Sequence, residues 1–346
     1  MNISSVEQNN PRLQYIDTAK GILILFLLYG HSTLYTRMLG YEDDSMSLWG
    51  KFIPWYNAFF MPAFFIITGF CSSYKIEFKE YLWKNVKTLL IPAIVIVTSY
   101  HYINDLVLHN GISFQHLTDL RFWLIDKGPW FIFALFWCKL LFWLLYNKLS
   151  LKKQVLVIGL LYLLGLLETN IDVIPNVQSH IHAILLLPFL ALGAYLKDNK
   201  DIMDKYLKPI ALFGGISITV QWILSVMLGG VPFPSIDAYI GVSEKTFPIH
   251  IINSISGTAF VVYVSQLIGS SSFLQTLGKG TLLLYLGNGL FQTIATKLAY
   301  SMIPATTYLS CLVIHLIAYL LCVGIGYVAV KIIYGTKYLQ WIVGKW

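Results

Sequence analysis

The sequence predicts an all-α, polytopic integral membrane protein with about ten transmembrane helices and both termini in the cytoplasm. Three observations carry that expectation: composition, the spacing of apolar runs, and the placement of basic residues. Of 346 residues only 12% are charged, against 57% hydrophobic, where a soluble domain carries about 25% charged residues. Mean hydropathy is +0.66. These values exclude a disordered chain, a coiled coil and an ordinary soluble globule. A spanning helix uses roughly 20 apolar residues, so ten spans fill most of the chain and the whole of it, residues 1–346, reads as a single membrane domain.

Apolar runs of spanning length fall near 20–38, 52–73, 87–108, 130–147, 154–168, 180–196, 209–228, 247–268, 281–300 and 307–333. The fifth is short. The ninth is weak, because Gly287, Asn288, Gly289, Gln292 and Lys297 interrupt it. Placing the N-terminus inside puts seventeen of the 24 basic residues in inner segments and five in outer loops. That asymmetry follows the positive-inside rule and calls for an even number of spans. It also accounts for the net charge of +7 without nucleic acid as a partner. Long loops are expected at 105–129 and 229–247. The four cysteines form no Cys-x-x-Cys pair and the histidines no His-Glu-x-x-His element, so no metal site is expected. Walker A, Gly-x-Gly-x-x-Gly and Gly-x-Ser-x-Gly elements are also absent from the sequence. The first apolar run lacks a small-residue cleavage site and is expected to be retained.

Two stretches concentrate chemistry. The first span reads Ile16-Asp17-Thr18-Ala19-Lys20-Gly21, then an apolar run, then Gly30-His31-Ser32. Lys20 and His31 are eleven positions apart, which on a helix returns to within about 20° of the same face and separates them by about 16 Å along the axis. Lys20, with Asp17 a turn below it, then sits near the cytoplasmic surface and His31 near mid-membrane. An ionisable residue at that depth is a functional candidate, although a structural hydrogen bond to a neighbouring helix would also explain it. The second stretch is Lys84-Asn85-Val86-Lys87, where two lysines one turn apart at a cytoplasmic helix end face the same way and suit phosphates. A purely topological anchor is the commoner meaning of such a pair. His101 in the third span and His250 in the eighth are further buried histidines.

In order and spacing these stretches resemble the membrane acyltransferase-3 family, most closely its fucose 4-O-acetylase-like branch. Lys20 to His31 matches the family's basic residue, ten intervening residues and His. Met61 through Phe70 (Met-Pro-Ala-Phe-Phe-Ile-Ile-Thr-Gly-Phe) is similar to its Met-Pro-x-Phe-Phe run, Lys84 and Lys87 to its basic-x-x-basic element, and Trp130-Phe131 to its Trp-Phe. Leu277-Gly278-Lys279-x-Thr281-Leu282, followed by Tyr285-Leu286, resembles a late family segment. Phe60 and Asn288 stand where the family often has His, which bears on the acceptor.

The resemblance implies transfer of an acyl group from acetyl-CoA or another acyl-CoA to a hydroxyl. The implied acceptor is a sugar of a cell-surface polysaccharide or its lipid-linked precursor, in a bacterial inner or plasma membrane. Membrane lipid is then a partner and nucleic acid is not. On that reading His31 is the general base and Lys20 its catalytic companion. Lys84, Lys87 and Asp17 bind the donor, and Trp130, Thr68 and His101 line the acceptor site, Thr68 steadying the oxyanion or the base. The rival expectation is a transporter or flippase for a polysaccharide precursor, against which the absence of a visible inverted repeat counts.

Overall fold

The computed structural model describes residues 13–41, 45–107, 129–171, 178–227 and 247–345. Most of the two long loops therefore lies outside the described residues. Every regular element among the described residues is helical. In chain order they are α1 (Gln14–Met38), α2 (Ser45–Gly50), α3 (Ile53–Asn57), α4 (Phe60–Cys71), α5 (Phe78–Asn85), a π-helical turn (Val86–Leu90) and α6 (Ile91–Val107). They continue with α7 (Trp130–Lys148), α8 (Leu151–Ile171), α9 (Gln178–Asp198), α10 (Lys200–Met227) and α11 (Phe247–Ile268). Last come α12 (Ser272–Lys279), α13 (Thr281–Leu286), α14 (Asn288–Met302), α15 (Tyr308–Gly335) and a 3-10 segment (Lys337–Val343). Within hydrocarbon no water can satisfy a backbone amide, so helices are the economical answer to so apolar a chain.

Among the described residues, seven helical stretches are long and apolar enough to cross a membrane, where about ten were expected. They are Ser45–Cys71, Phe78–Ile103, Trp130–Lys148, Ile181–Asp198, Lys200–Met227, Pro248–Ile268 and Tyr308–Gly335. α1 has the length, but its second half is diluted by His31, Ser32, Thr33 and Tyr35. The weak ninth run, 281–300, is broken at Gly287 into α13 and α14, and the short α12 precedes it across Gly280. The outer faces of α8 and α10 present Val155, Leu156, Leu160, Leu164, Phe213, Ile216 and Leu224, all exposed. Apolar faces of that extent need an apolar solvent, which is the physical signature of a multi-pass membrane protein.

Two local features differ from the sequence expectation. The apolar run at 52–73 was expected as one continuous span. Instead the chain bends at Ala58 and Phe59, and Pro62 falls in the first turn of α4, where its missing N–H has no helical acceptor to lose. The helix expected to start at 87 begins at Phe78 and passes through the π turn, in which Ile91 N–H bonds the Val86 carbonyl. That wider turn contains Lys87, while Lys84 precedes it at the end of α5.

α1 is the hub. It packs against α4 and α11 on one side and against α12, α13, α14 and α15 on the other. Close approach needs glycine: a Cβ on Gly21 would meet the Leu274 carbonyl of α12, and one on Gly278 would meet the Asp17 carbonyl of α1. The two helices thus interlock backbone to backbone, in the manner of small residues at membrane helix crossings. Leu23, Ile24, Leu27 and Leu28 are buried in the centre of the core.

Candidate functional site

His31 stands on the second half of α1, enclosed by the bundle yet retaining accessible surface. Its Nδ1 is hydrogen-bonded by the Asn288 side-chain amide at the start of α14. One turn further along α14, Gln292 donates to the Leu28 carbonyl of α1 at 2.6 Å. Asn288 and Gln292 are both buried and share one face of α14. Together they set the register of that helix against the imidazole. The polar residues that weakened the ninth apolar run are therefore the ones that hold His31.

A group of tyrosines closes the site. The Tyr35 ring lies 6.4 Å from the His31 ring, one turn along α1. Its hydroxyl is hydrogen-bonded to Tyr100 of α6, and Tyr285 of α13 lies close by. Gly289 admits these rings: a Cβ there would come within 2.5 Å of the Tyr35 hydroxyl and 2.7 Å of the Tyr100 ring. Tyr285 meets Phe131 of α7 at 5.1 Å, and the preceding Trp130 packs against His182 at 4.6 Å. A continuous aromatic wall thus runs from Trp130 to His31, at the end of the bundle where α7 begins.

The chemistry available at His31 depends on its tautomer. When the Asn288 Nδ2 donates to Nδ1, the ring proton is on Nε2, and Asn288 Oδ1 has no hydrogen-bond partner. Turning the amide by half a rotation lets Oδ1 accept a hydrogen bond from Nδ1–H. The Nε2 lone pair is then free to take a proton from a bound hydroxyl.

Lys20 and His31 keep their expected separation of about 16 Å because α1 is continuous between them. Lys20 is half-exposed and Asp17 is buried in the first turn, where α12 crosses it. Lys84 is exposed at the end of α5. Lys87, in the π turn, lays its ammonium group over the Trp83 ring at 5.4 Å. Beside them at this end is a polar cavity of about 220 Å³ lined by Ser72, Tyr74, Lys75, Lys197 and Asp198.

The remaining site candidates separate. His101 is half-exposed on α6, its ring 5.0 Å from that of Tyr100, which puts it at the margin of the tyrosine group. Thr68 is not brought to His31. Its carbonyl accepts from Ser72, and Cys71, the last residue of α4, lies near Tyr15 at the start of α1. That places Thr68 toward the Lys20 end. His250 bonds Ser254, four residues along its own helix, at 3.1 Å. Among the described residues no group of His, Cys, Asp and Glu could hold a metal.

An acyltransferase-3 model, described as an acyltransferase domain, matches residues 13–336. The chain belongs to the acyltransferase-3 family. Acyl transfer is therefore the activity class of this membrane acyltransferase. No curated protein and no solved structure gives a significant match.

Sequence reasoning missed Asn288, Gln292, Tyr35 and Tyr100 as site residues. Asn288 was visible only as a departure from the family pattern. The spacing of Asn288 and Gln292, four apart in an otherwise apolar run, was the signal that could have found them.

Proposed function

We propose that this acyltransferase moves an acetyl or other short acyl group from acyl-CoA to a hydroxyl of a sugar in a cell-surface polysaccharide or its lipid-linked precursor. The single observation that carries this reading is the enclosed His31, oriented by Asn288 and walled by aromatic rings. In this reading ten segments cross the membrane of a bacterial cell and both termini are cytoplasmic. α1, α8 and the broken α12–α14 unit complete the seven spans above. The donor's phosphates stay at the lysine-bearing end, and its pantetheine arm threads about 16 Å along α1 to His31.

His31 Nε2 takes the proton as the acceptor oxygen attacks the thioester carbonyl. The tetrahedral adduct collapses, the carbon–sulfur bond breaks, and the imidazolium returns the proton to the leaving thiolate. The products are an ester and free CoA, and the base is regenerated. Asn288 Oδ1 holds the Nδ1–H tautomer, while Tyr35 and Tyr100 provide neutral hydroxyl donors beside the ring. Trp130, which keeps accessible surface, offers a flat apolar face of the kind on which sugar rings stack. The fucose 4-O-acetylase-like likeness supports a sugar acceptor, and the transporter reading draws no support from the family.

The test uses purified protein in lipid nanodiscs with acetyl-CoA labelled in the acetyl group. Wild type should consume the donor by transfer or slow hydrolysis, and His31→Gln should lose at least about 10² of that rate while remaining folded, the scale of a general base. A well-folded Gln variant with most of the wild-type rate would remove His31 from the chemistry. Mass spectrometry of surface glycans from cells with and without the protein identifies the acceptor.

A further inference from the structure

A lysine inside a spanning helix is an expensive residue, and it is retained for a reason. Lys139 lies in the middle of α7, within a stretch apolar enough to span a membrane. It is surrounded by protein but keeps accessible surface. Its ammonium group is 5.9 Å from the Tyr81 ring centroid, and the Tyr81 hydroxyl donates to the Lys139 carbonyl at 3.4 Å. Tyr81 belongs to α5, and Lys84 follows it by three residues on the same helical face. The groups that act electrostatically on Lys139 are Lys84, Cys138 and Cys71. No carboxylate is among them. Two cations from different helices therefore come together beside Tyr81, and among the described residues the carboxylate nearest in sequence is Glu80, exposed one turn before Lys84 on α5.

The neighbouring polar cavity is arranged differently. There Lys197 already donates to the Ser72 carbonyl at 2.7 Å, and Asp198 contributes a negative charge to the lining. Lys87 is also distinct, turned onto Trp83 by the π turn. Lys139 is the lysine whose electrostatic partners, Lys84, Cys138 and Cys71, include no carboxylate.

We propose that Lys84 and Lys139 form a pyrophosphate clamp between α5 and α7, one lysine at the protein surface and the other deeper along α7. Its ligand class is the diphosphate bridge of a nucleotide-bearing donor, and in this respect the proposal rests on the acyl-CoA reading above. The clamp fixes where the donor's charged end stops, so that only the uncharged arm continues toward His31. It replaces the Lys84–Lys87 pair that the sequence suggested.

Two measurements test it on the full chain in nanodiscs. In the first, wild type is pulsed with acetic anhydride, with and without inorganic pyrophosphate, and acetylation is read lysine by lysine by mass spectrometry. Pyrophosphate should slow modification of Lys84 and Lys139 together, severalfold, and leave Lys87 unprotected. Lack of protection at Lys139 overturns the clamp. This measurement needs neither a folded variant nor turnover, so protection by pyrophosphate without any acyl-CoA binding would keep the clamp and discard the acyl-CoA reading. In the second, Lys139→Gln should raise KM for acetyl-CoA by about 10-fold or more, the scale of one lost charge-assisted contact. Lys139→Arg should restore much of it, and turnover of acetyl-pantetheine, which has no diphosphate, should be unchanged. An unaltered KM for acetyl-CoA in folded Lys139→Gln overturns the clamp and leaves the reaction standing.

Discussion

The two ends of α1 solve opposite problems. At the His31 end hydrogen bonds between helices fix the side chains: Asn288 grips the imidazole, Gln292 grips the Leu28 carbonyl, and Tyr35 bonds Tyr100. At the other end the Lys139 ammonium group lies over the Tyr81 ring, three residues before Lys84, and the groups that act on it, Lys84, Cys138 and Cys71, include no carboxylate. A site that positions a proton must be satisfied by the protein itself, because a half-turn of one ring changes its chemistry. A site that receives a polyanion must be left charged, because any internal partner would compete with the ligand. The difference teaches that one bundle can hold both a polar cluster pinned by hydrogen bonds between helices and a cluster of cations drawn from two helices.

The comparison breaks most visibly at His31. Replacing it with Ala should lower transfer by about 10² or more without altering donor KM, measured by single-turnover kinetics with labelled acetyl-CoA. The wild-type rate should also fall on the acid side of its pH profile, because a protonated imidazole cannot accept the hydroxyl proton, and the Ala variant should lose that limb.

Asn288→Leu comes next. Losing the hydrogen bond that selects the tautomer should reduce kcat about 10-fold, equivalent to roughly 1.4 kcal/mol. A double-mutant cycle sharpens this. His31 and Asn288 act as one unit, so the double variant should be little worse than His31→Ala alone. Asn288 and Lys139 are at different sites, and their effects should add within about 0.5 kcal/mol. Additive loss at His31 and Asn288 would mean that the amide does not work through the ring.

Gly278→Ala should act on stability more than chemistry. Its Cβ would collide with the Asp17 carbonyl, a backbone atom that cannot swing aside. Overpacking of this kind costs about 1–3 kcal/mol, visible as a lower Tm with the donor KM changed only as far as α1 shifts. The smallest effect is expected for Lys87→Ala. Its ammonium group rests on Trp83, so KM for acetyl-CoA should rise less than for Lys139→Gln. The reverse order would restore the sequence-based assignment of the phosphates.

Much of the architecture was legible from hydropathy alone, because lipid solvent leaves the chain few options. Helices at 130–147 and 247–268 were expected nearly to the residue, and they appear as Trp130–Lys148 and Phe247–Ile268. The bend before Pro62 and the π turn at Val86–Leu90 were not legible, since both arise from contacts between helices. His31 announced itself as an imidazole at depth. Asn288 did not, because a single amide in a weak apolar run gains meaning only when α14 is laid against α1. Lys139 stands in the sequence only as a lone charge inside the run at 130–147. Its significance depends on α5 bringing Tyr81 and Lys84 against it, a juxtaposition that no local pattern encodes.

The interlock of Gly21 with Leu274 and of Gly278 with Asp17 carries a consequence for biosynthesis. His31 and Asn288 are 257 residues apart in the chain. At about 5–20 residues per second of translation, α1 waits roughly 10–50 s before its partner helices exist. Throughout that interval its notched face, with the Asp17 carboxylate and the His31 ring, has only lipid or earlier helices to lean on. α1 must therefore remain in the membrane as an incomplete surface until α12 arrives and fits into it. Any ribosome that stops before residue 272 leaves His31 without Asn288 and α1 without the helix that interlocks with it.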